Sequence, residues 1–153
     1  MIRGMTFEIP NEYGRFLFEI LLALKASSFE WMIAGEEGYF IENGELGREL
    51  FPENKMVMAG GDLMLYLSPY TCYLIFADLK AFPKGKAADD IRTYKDFLKS
   101  DCQIAILIVD SSYTAVYCKD RERTERLYRF CRERFSNAEY IKDENDRNEL
   151  AVW

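Results

Sequence analysis

The chain has 153 residues, enough for one domain that buries roughly 70% of the surface its unfolded form exposes. Twenty basic residues stand against 26 acidic ones, a formal net charge of −6, which disfavours nucleic acid or an anionic membrane as partner because both reward clustered Lys and Arg. There is no histidine, so serine and cysteine triads of the usual kind, two-histidine zinc sites and facial-triad iron sites are excluded unless another residue type substitutes.

Met5, Phe7 and Ile9 alternate with Thr6 and Glu8, a half-buried strand that Pro10 stops. Asn11 is placed to cap a following helix, and Tyr13, Phe16, Leu17, Ile20, Leu21 and Leu24 repeat along one helical face. Phe18 and Leu22 lie on the other side, so this helix is expected to be sandwiched in the core. Two short strands, Phe29 to Ile33 and Gly38 to Ile41, flank an expected turn at 34–37. From Glu36 to Glu53 six glutamates accompany one basic residue, Arg48; with Gly44, Gly47 and Pro52 this reads as a solvated surface excursion. A strand at Met56 to Met58 and a helix from Asp62 to Leu67 follow.

Cys72 to Ala77 is nearly all apolar, an interior strand expected to end at Asp78 and lead into a basic loop with Lys80, Lys84 and Lys86. Thr93-Tyr94-Lys95-Asp96 has capping-box spacing ahead of Phe97 and Leu98. Ile104 to Val109, the turn Asp110-Ser111-Ser112 and Tyr113 to Cys118 form the pattern of an antiparallel hairpin. Asp120 caps a last helix with a buried stripe of Leu127, Phe130, Cys131 and Phe135. Strands at Ala138 to Ile141 and Leu150 to Trp153 complete the chain around the polar turn Asp143-Glu144-Asn145-Asp146. No repeat or linker interrupts 1–153, and the element order predicts a single α+β domain: a mixed, largely antiparallel sheet with packed helices.

The four cysteines lie far apart, each in or beside an apolar segment, and read as buried small hydrophobes in a reducing compartment. With no apolar stretch of signal-peptide length at the start and no run long enough to span a bilayer, a cytoplasmic location is expected. No cofactor and no metal site is expected.

The sharpest catalytic lead is Asp78 and Asp110, each after an apolar strand, since carboxylates at strand ends that converge would hold Mg²⁺ without histidine, with a nearby lysine for phosphate. Against it, Asp is the ordinary residue for closing a strand and opening a turn. The last helix and its approach, Lys119 to Arg134, hold seven basic and four acidic residues, a local +3 in a chain whose remainder carries −9. Glu122 with Arg126 and Glu125 with Arg129 have the four-residue spacing of salt bridges along a solvated face. If a partner binds through charge, the candidate residues are Glu42 and Glu45 in the acidic stretch and Arg129 and Arg132 on the basic helix.

Taken together, Phe7-Glu8-Ile9-Pro10-Asn11, Ile41 to Gly47, Phe76-Ala77-Asp78-Leu79, Ser100-Asp101-Cys102, Val109 to Tyr113 and Tyr117 to Asp120 resemble an uncharacterised family of small cytoplasmic proteins from Gram-positive bacteria, a domain of unknown function. The resemblance covers essentially the whole chain and implies one domain and a compartment, with no activity or site residue to carry over. The reading is therefore a non-catalytic domain that binds another protein, of inhibitor or immunity type. The alternatives are a metal-assisted phosphoryl-transfer enzyme built on Asp78 and Asp110, then a small-molecule binding domain.

Overall fold

A computed structural model describes residues 1–34, 37–53, 55–86, 90–146 and 149–150. Among these residues nine strands and four helices follow one another as β1 (Ile2–Glu8), α1 (Phe16–Ala23), β2 (Glu30–Ala34), β3 (Glu37–Glu42), β4 (Glu45–Glu49), β5 (Lys55–Ala59), α2 (Gly60–Leu67), β6 (Cys72–Phe82), α3 (Tyr94–Lys99), β7 (Ile104–Val109), β8 (Tyr113–Cys118), α4 (Arg121–Arg134) and β9 (Ser136–Lys142). The strands form one sheet of order β4-β3-β6-β7-β8-β1-β9, with β2 paired to β6 and β5 to β2. Every ladder among the described residues is antiparallel, so the fold is α+β.

β6 organises the sheet. Its 11 residues span about 36 Å, far longer than the usual strand, and no single short neighbour can satisfy one whole side. Two strands divide that side between them, β3 pairing with the first half of β6 (Phe40 opposite Cys72) and β2 with the second (Ile33 opposite Leu79). The expected hairpin between these two strands is therefore not formed. They run one after the other along the same edge of β6, and residues 35–36 between them lie outside the described set.

The acidic stretch after β3 is structured rather than a free excursion. β3 and β4 form a hairpin whose turn residues Asn43 and Gly44 both take positive φ, 54° and 78°, the backbone that a tight primed turn demands and that Asn-Gly supplies at low cost. β6 likewise runs on through Asp78 to Phe82, so Asp78 does not close the strand and Lys80 is not in a loop. Lys84 and Lys86 do occupy the turn that follows.

One sheet face carries α1, α2 and α4. Met5 and Phe7 of β1, Ile106 and Ile108 of β7 and Val116 of β8 point to it and meet Leu17, Ile20, Leu21, Leu127 and Cys131 from the helices. Phe135 joins these layers, stacking on Phe7 (5.4 Å between ring centroids) and meeting Phe16 edge-on (6.0 Å). α1 begins later than its apolar pattern suggests. Gly14 exchanges both backbone hydrogen bonds with Cys72, the preceding residues bend through a Glu12 N–H to Pro10 carbonyl bond (2.9 Å) rather than entering the helix, and Asn11 accepts a bond from the Tyr73 hydroxyl (2.6 Å) instead of capping it. Nor is α1 sandwiched: Leu22 is 60% exposed and Phe18 is half-buried.

The opposite face is covered over only part of its area. Here Phe97 of α3, Ile91 and Leu150 pack on Met32, Phe82, Ala105, Tyr117 and Ile141. The capping box of α3 forms as its spacing predicts: Thr93 accepts from the Asp96 N–H, and Asp96 accepts from Thr93. Hydrogen bonds from the Arg92 and Thr93 backbone N–H groups hold the Asp96 carboxyl below its ordinary pKa. Leu150 donates its N–H to the Arg92 carbonyl (2.9 Å), but the expected strand beyond it, 151–153, lies outside the described residues. The turn after β9 is tied down by Arg3, which pairs with Asp143 (2.8 Å) and Asp146 (3.0 Å). No helix of the described residues is long and apolar enough to cross a membrane.

Cys72, Cys102, Cys118 and Cys131 are buried and free. Burial pushes their thiols up, to about 11 for Cys72 and to about 12 for Cys102 and Cys131. At pH 8 the native protein is accordingly expected to react with an aromatic disulfide reagent only as fast as it unfolds, and to release all four thiols at once in denaturant. Rapid reaction of the native protein would show that one of these cysteines is open to solvent.

Candidate functional site

Asp78 and Lys80 sit two residues apart on β6, so both side chains project to the partly covered face. Their Oδ1 and Nζ atoms form a hydrogen-bonded ion pair in the middle of the sheet, with the residues only 6% and 3% exposed. Asp110 is elsewhere. It lies in the β7–β8 turn, exposed, with Ser111 beside it, and both take positive φ, 52° and 65°. Asp and Ser there supply the left-handed backbone the turn needs, and the Ser111 N–H bonds the Ile75 carbonyl (3.0 Å).

Register separates the two aspartates: Asp78 lies opposite Leu107, three residues short of Asp110, or about 10 Å along the strand. The structure does not bring the pair together, and among the described residues no cluster of three metal-ligating acids or cysteines occurs. The metal-assisted reading loses the convergence it needs.

The charge candidates lie at opposite edges of the sheet. Glu42 and Glu45 face each other at the tip of the β3–β4 hairpin, where Glu42 pairs with Arg48 (3.3 Å); Arg48 also lies over the Phe40 and Tyr70 rings, at 4.5 and 5.2 Å. Arg129 and Arg132 are exposed on α4, Arg132 at 5.8 Å from the Tyr128 ring. The expected pairs Glu122–Arg126 and Glu125–Arg129 do not form. Glu125 pairs with Arg121 instead (3.6 Å), and the helix is anchored by Arg134 to Glu19 of α1 (2.7 Å) and by Arg123 to the Leu24 carbonyl (3.1 Å).

Sequence reasoning missed a recess that the described residues form. It is a concavity of about 560 Å³ on the part of the second face that no helix of the described residues covers, across β7, β8, β1 and β9. Leu107, Val109 and Ala115 give it an apolar floor; Thr6, Glu8, Tyr113 and Glu139 rise around them, with Asn137 and Glu149 at the margin. The register explains the convergence. Thr6 sits between Ala115 on one side and Glu139 on the other, while Glu8 lies beside Tyr113. A bulge between Thr6 and Glu8 takes up an extra residue of β9, where Asn137 has φ 56° and donates its side-chain amide to the Glu8 carboxylate. Tyr113 is 60% exposed. Among the described residues no lysine or arginine lines the recess, and Glu8, Glu139 and Glu149 form no ion pair.

With this geometry in place, comparison with known proteins assigns a lineage. A family described as "Protein of unknown function (DUF2691)" matches residues 2–151. The chain belongs to this family. A relative, described as "Uncharacterized protein YncE" from Bacillus subtilis (strain 168), is 40% identical over 154 residues, spanning 99% of this chain and 100% of the relative. The resemblance read from the sequence motifs is thus to a family of unknown function with a member in a Gram-positive bacterium. No solved structure matches the chain.

The two aspartates give opposite expectations under mutation. Asp78→Ala leaves the buried Lys80 ammonium without its carboxylate and is expected to destabilise the protein by about 3–5 kcal/mol. Asp110→Gly removes left-handed strain but adds unfolded-state entropy, so stability should change by less than about 1 kcal/mol. Denaturant midpoints of the two variants check this, and similar losses in both would contradict the assignment.

Proposed function

We propose that the protein is a non-catalytic cytoplasmic domain that binds another protein, in the manner of an inhibitor or immunity-type partner. One observation carries the reading: on one face of the sheet, across β7, β8, β1 and β9, no helix of the described residues lies over the strands, and there they present a recess with an apolar floor, an exposed tyrosine and carboxylates that form no ion pair among the described residues. An apolar centre with a polar rim and an aromatic anchor is the make-up of a recognition surface. Cytoplasmic residence is supported by four buried free thiols, which suit a reducing compartment. The hairpin tip at Glu42 and Glu45 and the Arg129–Arg132 face of α4 lie away from the recess and would serve as secondary charged contacts.

A small-molecule site is the second reading, favoured by a recess volume within the range of about 300–1,000 Å³ usual for such sites. Native mass spectrometry of the protein, isolated gently from its own cells, separates the two. The expected result is a second polypeptide at fixed stoichiometry, with an association rate that falls as salt rises. Retention of a metabolite or a metal ion in place of a polypeptide would overturn the protein-binding reading.

A further inference from the structure

We propose that the recess receives a lysine or arginine side chain from a basic segment of the partner protein, an inference that rests on the binding-domain reading above. The occupant's charge follows from the walls. Glu8, Glu139 and Glu149 contribute three carboxylates without an ion pair among the described residues, and no described cationic side chain lines the space to offset them. A recess of one sign with low-dielectric walls concentrates potential and draws in the opposite charge. Anionic ligands, phosphate and nucleic acid included, are repelled by the same field.

The register fixes where the charge would sit. Glu139 lies directly opposite Thr6, Glu8 is two residues along the same strand, and Tyr113 is the cross-strand neighbour of Glu8. A cation above Thr6 is therefore within one or two strand spacings, each about 4.8 Å, of both carboxylates and the tyrosine ring. Tyr113 is exposed, and an aromatic ring attracts an ammonium or guanidinium group. The floor of Leu107, Val109 and Ala115 matches the methylene stem of such a side chain, which packs on apolar surface while its head stays polar.

Charge complementarity also selects between occupants. A second copy would bring its own net −6 to an acidic recess, whereas a basic segment on a different protein is attracted without that penalty.

The test is an NMR titration of the whole protein with oligo-arginine, oligo-lysine and oligo-glutamate peptides of equal length, and with free spermidine. The basic peptides are expected to shift the amide signals of Thr6, Tyr113 and Glu139 in a saturable way, and oligo-glutamate is expected not to. Glu8→Gln and Glu139→Gln should each weaken the basic peptides by about threefold, as expected for partly exposed charge pairs, and Tyr113→Leu by a similar factor. Glu125→Gln, on α4, should leave the affinity unchanged, and undisturbed β6 amide signals report that each variant keeps its fold. Peptide affinity that ignores the two Gln substitutions, or shifts centred on the Glu42–Glu45 hairpin, would overturn the proposal. So would spermidine binding as tightly as a peptide of equal charge, or self-association in sedimentation that Glu139→Gln abolishes. A co-isolated polypeptide whose retention is indifferent to Glu8→Gln and Glu139→Gln would sink this inference alone and leave the binding-domain reading standing.

Discussion

The fold depends on one long strand that takes neighbours on both sides. β6 takes β3 and then β2 on one side and β7 on the other, joining the β2–β5 and β3–β4 pairs to the β7-β8-β1-β9 half of the sheet. Its central residues cannot be exchanged with solvent, and at that centre stand Asp78 and Lys80. A buried ion pair adds little net stability over apolar residues of similar size, since desolvation offsets most of the attraction. Its energetic consequence is asymmetric: either charge alone is costly there, so each makes the other necessary.

From this spine follows the unequal treatment of the two faces. The helices after β1, β5 and β8 all return to the same side, where their apolar stripes complete a continuous core around Phe135, Leu17 and Leu127. The other side receives only a six-residue helix and short segments of chain among the described residues. Six residues make less than two turns, too short to roof four strands, so among the described residues no helix covers the sheet beyond Leu107. The recess is thus a by-product of topology in its position, while its character comes from the residues that alternate outward along β1, β8 and β9.

Charge is distributed to match. α4 presents arginines to solvent on the closed side, some of them locked to Glu19 and to the end of α1, while the open side gathers glutamates without counter-ions among the described residues. Like charges held near one another cost stability in isolation, and Glu8 is partly compensated by the Asn137 amide. A bulge with a residue in left-handed backbone beside an uncovered recess is the kind of local irregularity that re-aims side chains at recognition sites.

The sequence by itself determined the elements whose signals are local. The β7–β8 hairpin has the strand limits read from Ile104 to Val109 and Tyr113 to Cys118, the Thr93–Asp96 capping box forms, and Asp120 caps α4 through the Glu122 N–H. The Asn43-Gly44 turn carries an equally local signal, masked by the glutamates on either side of it, whose charge suggests solvated coil. What only the tertiary structure decided is every feature set by pairing across long separations. An apolar run says that a strand is buried but not how far it continues, so the extension of β6 through Asp78 and Lys80 depended on each charge finding the other once the strand was flanked. The helical pattern of α1 likewise gave way to the Gly14–Cys72 bridge, between residues 58 positions apart. Glu8, Tyr113 and Glu139 are ordinary polar positions of three strands in the sequence. They become one surface only because β1 lies between β8 and β9, and that neighbour relation is chosen by the burial of the other face, to which none of the three side chains contributes.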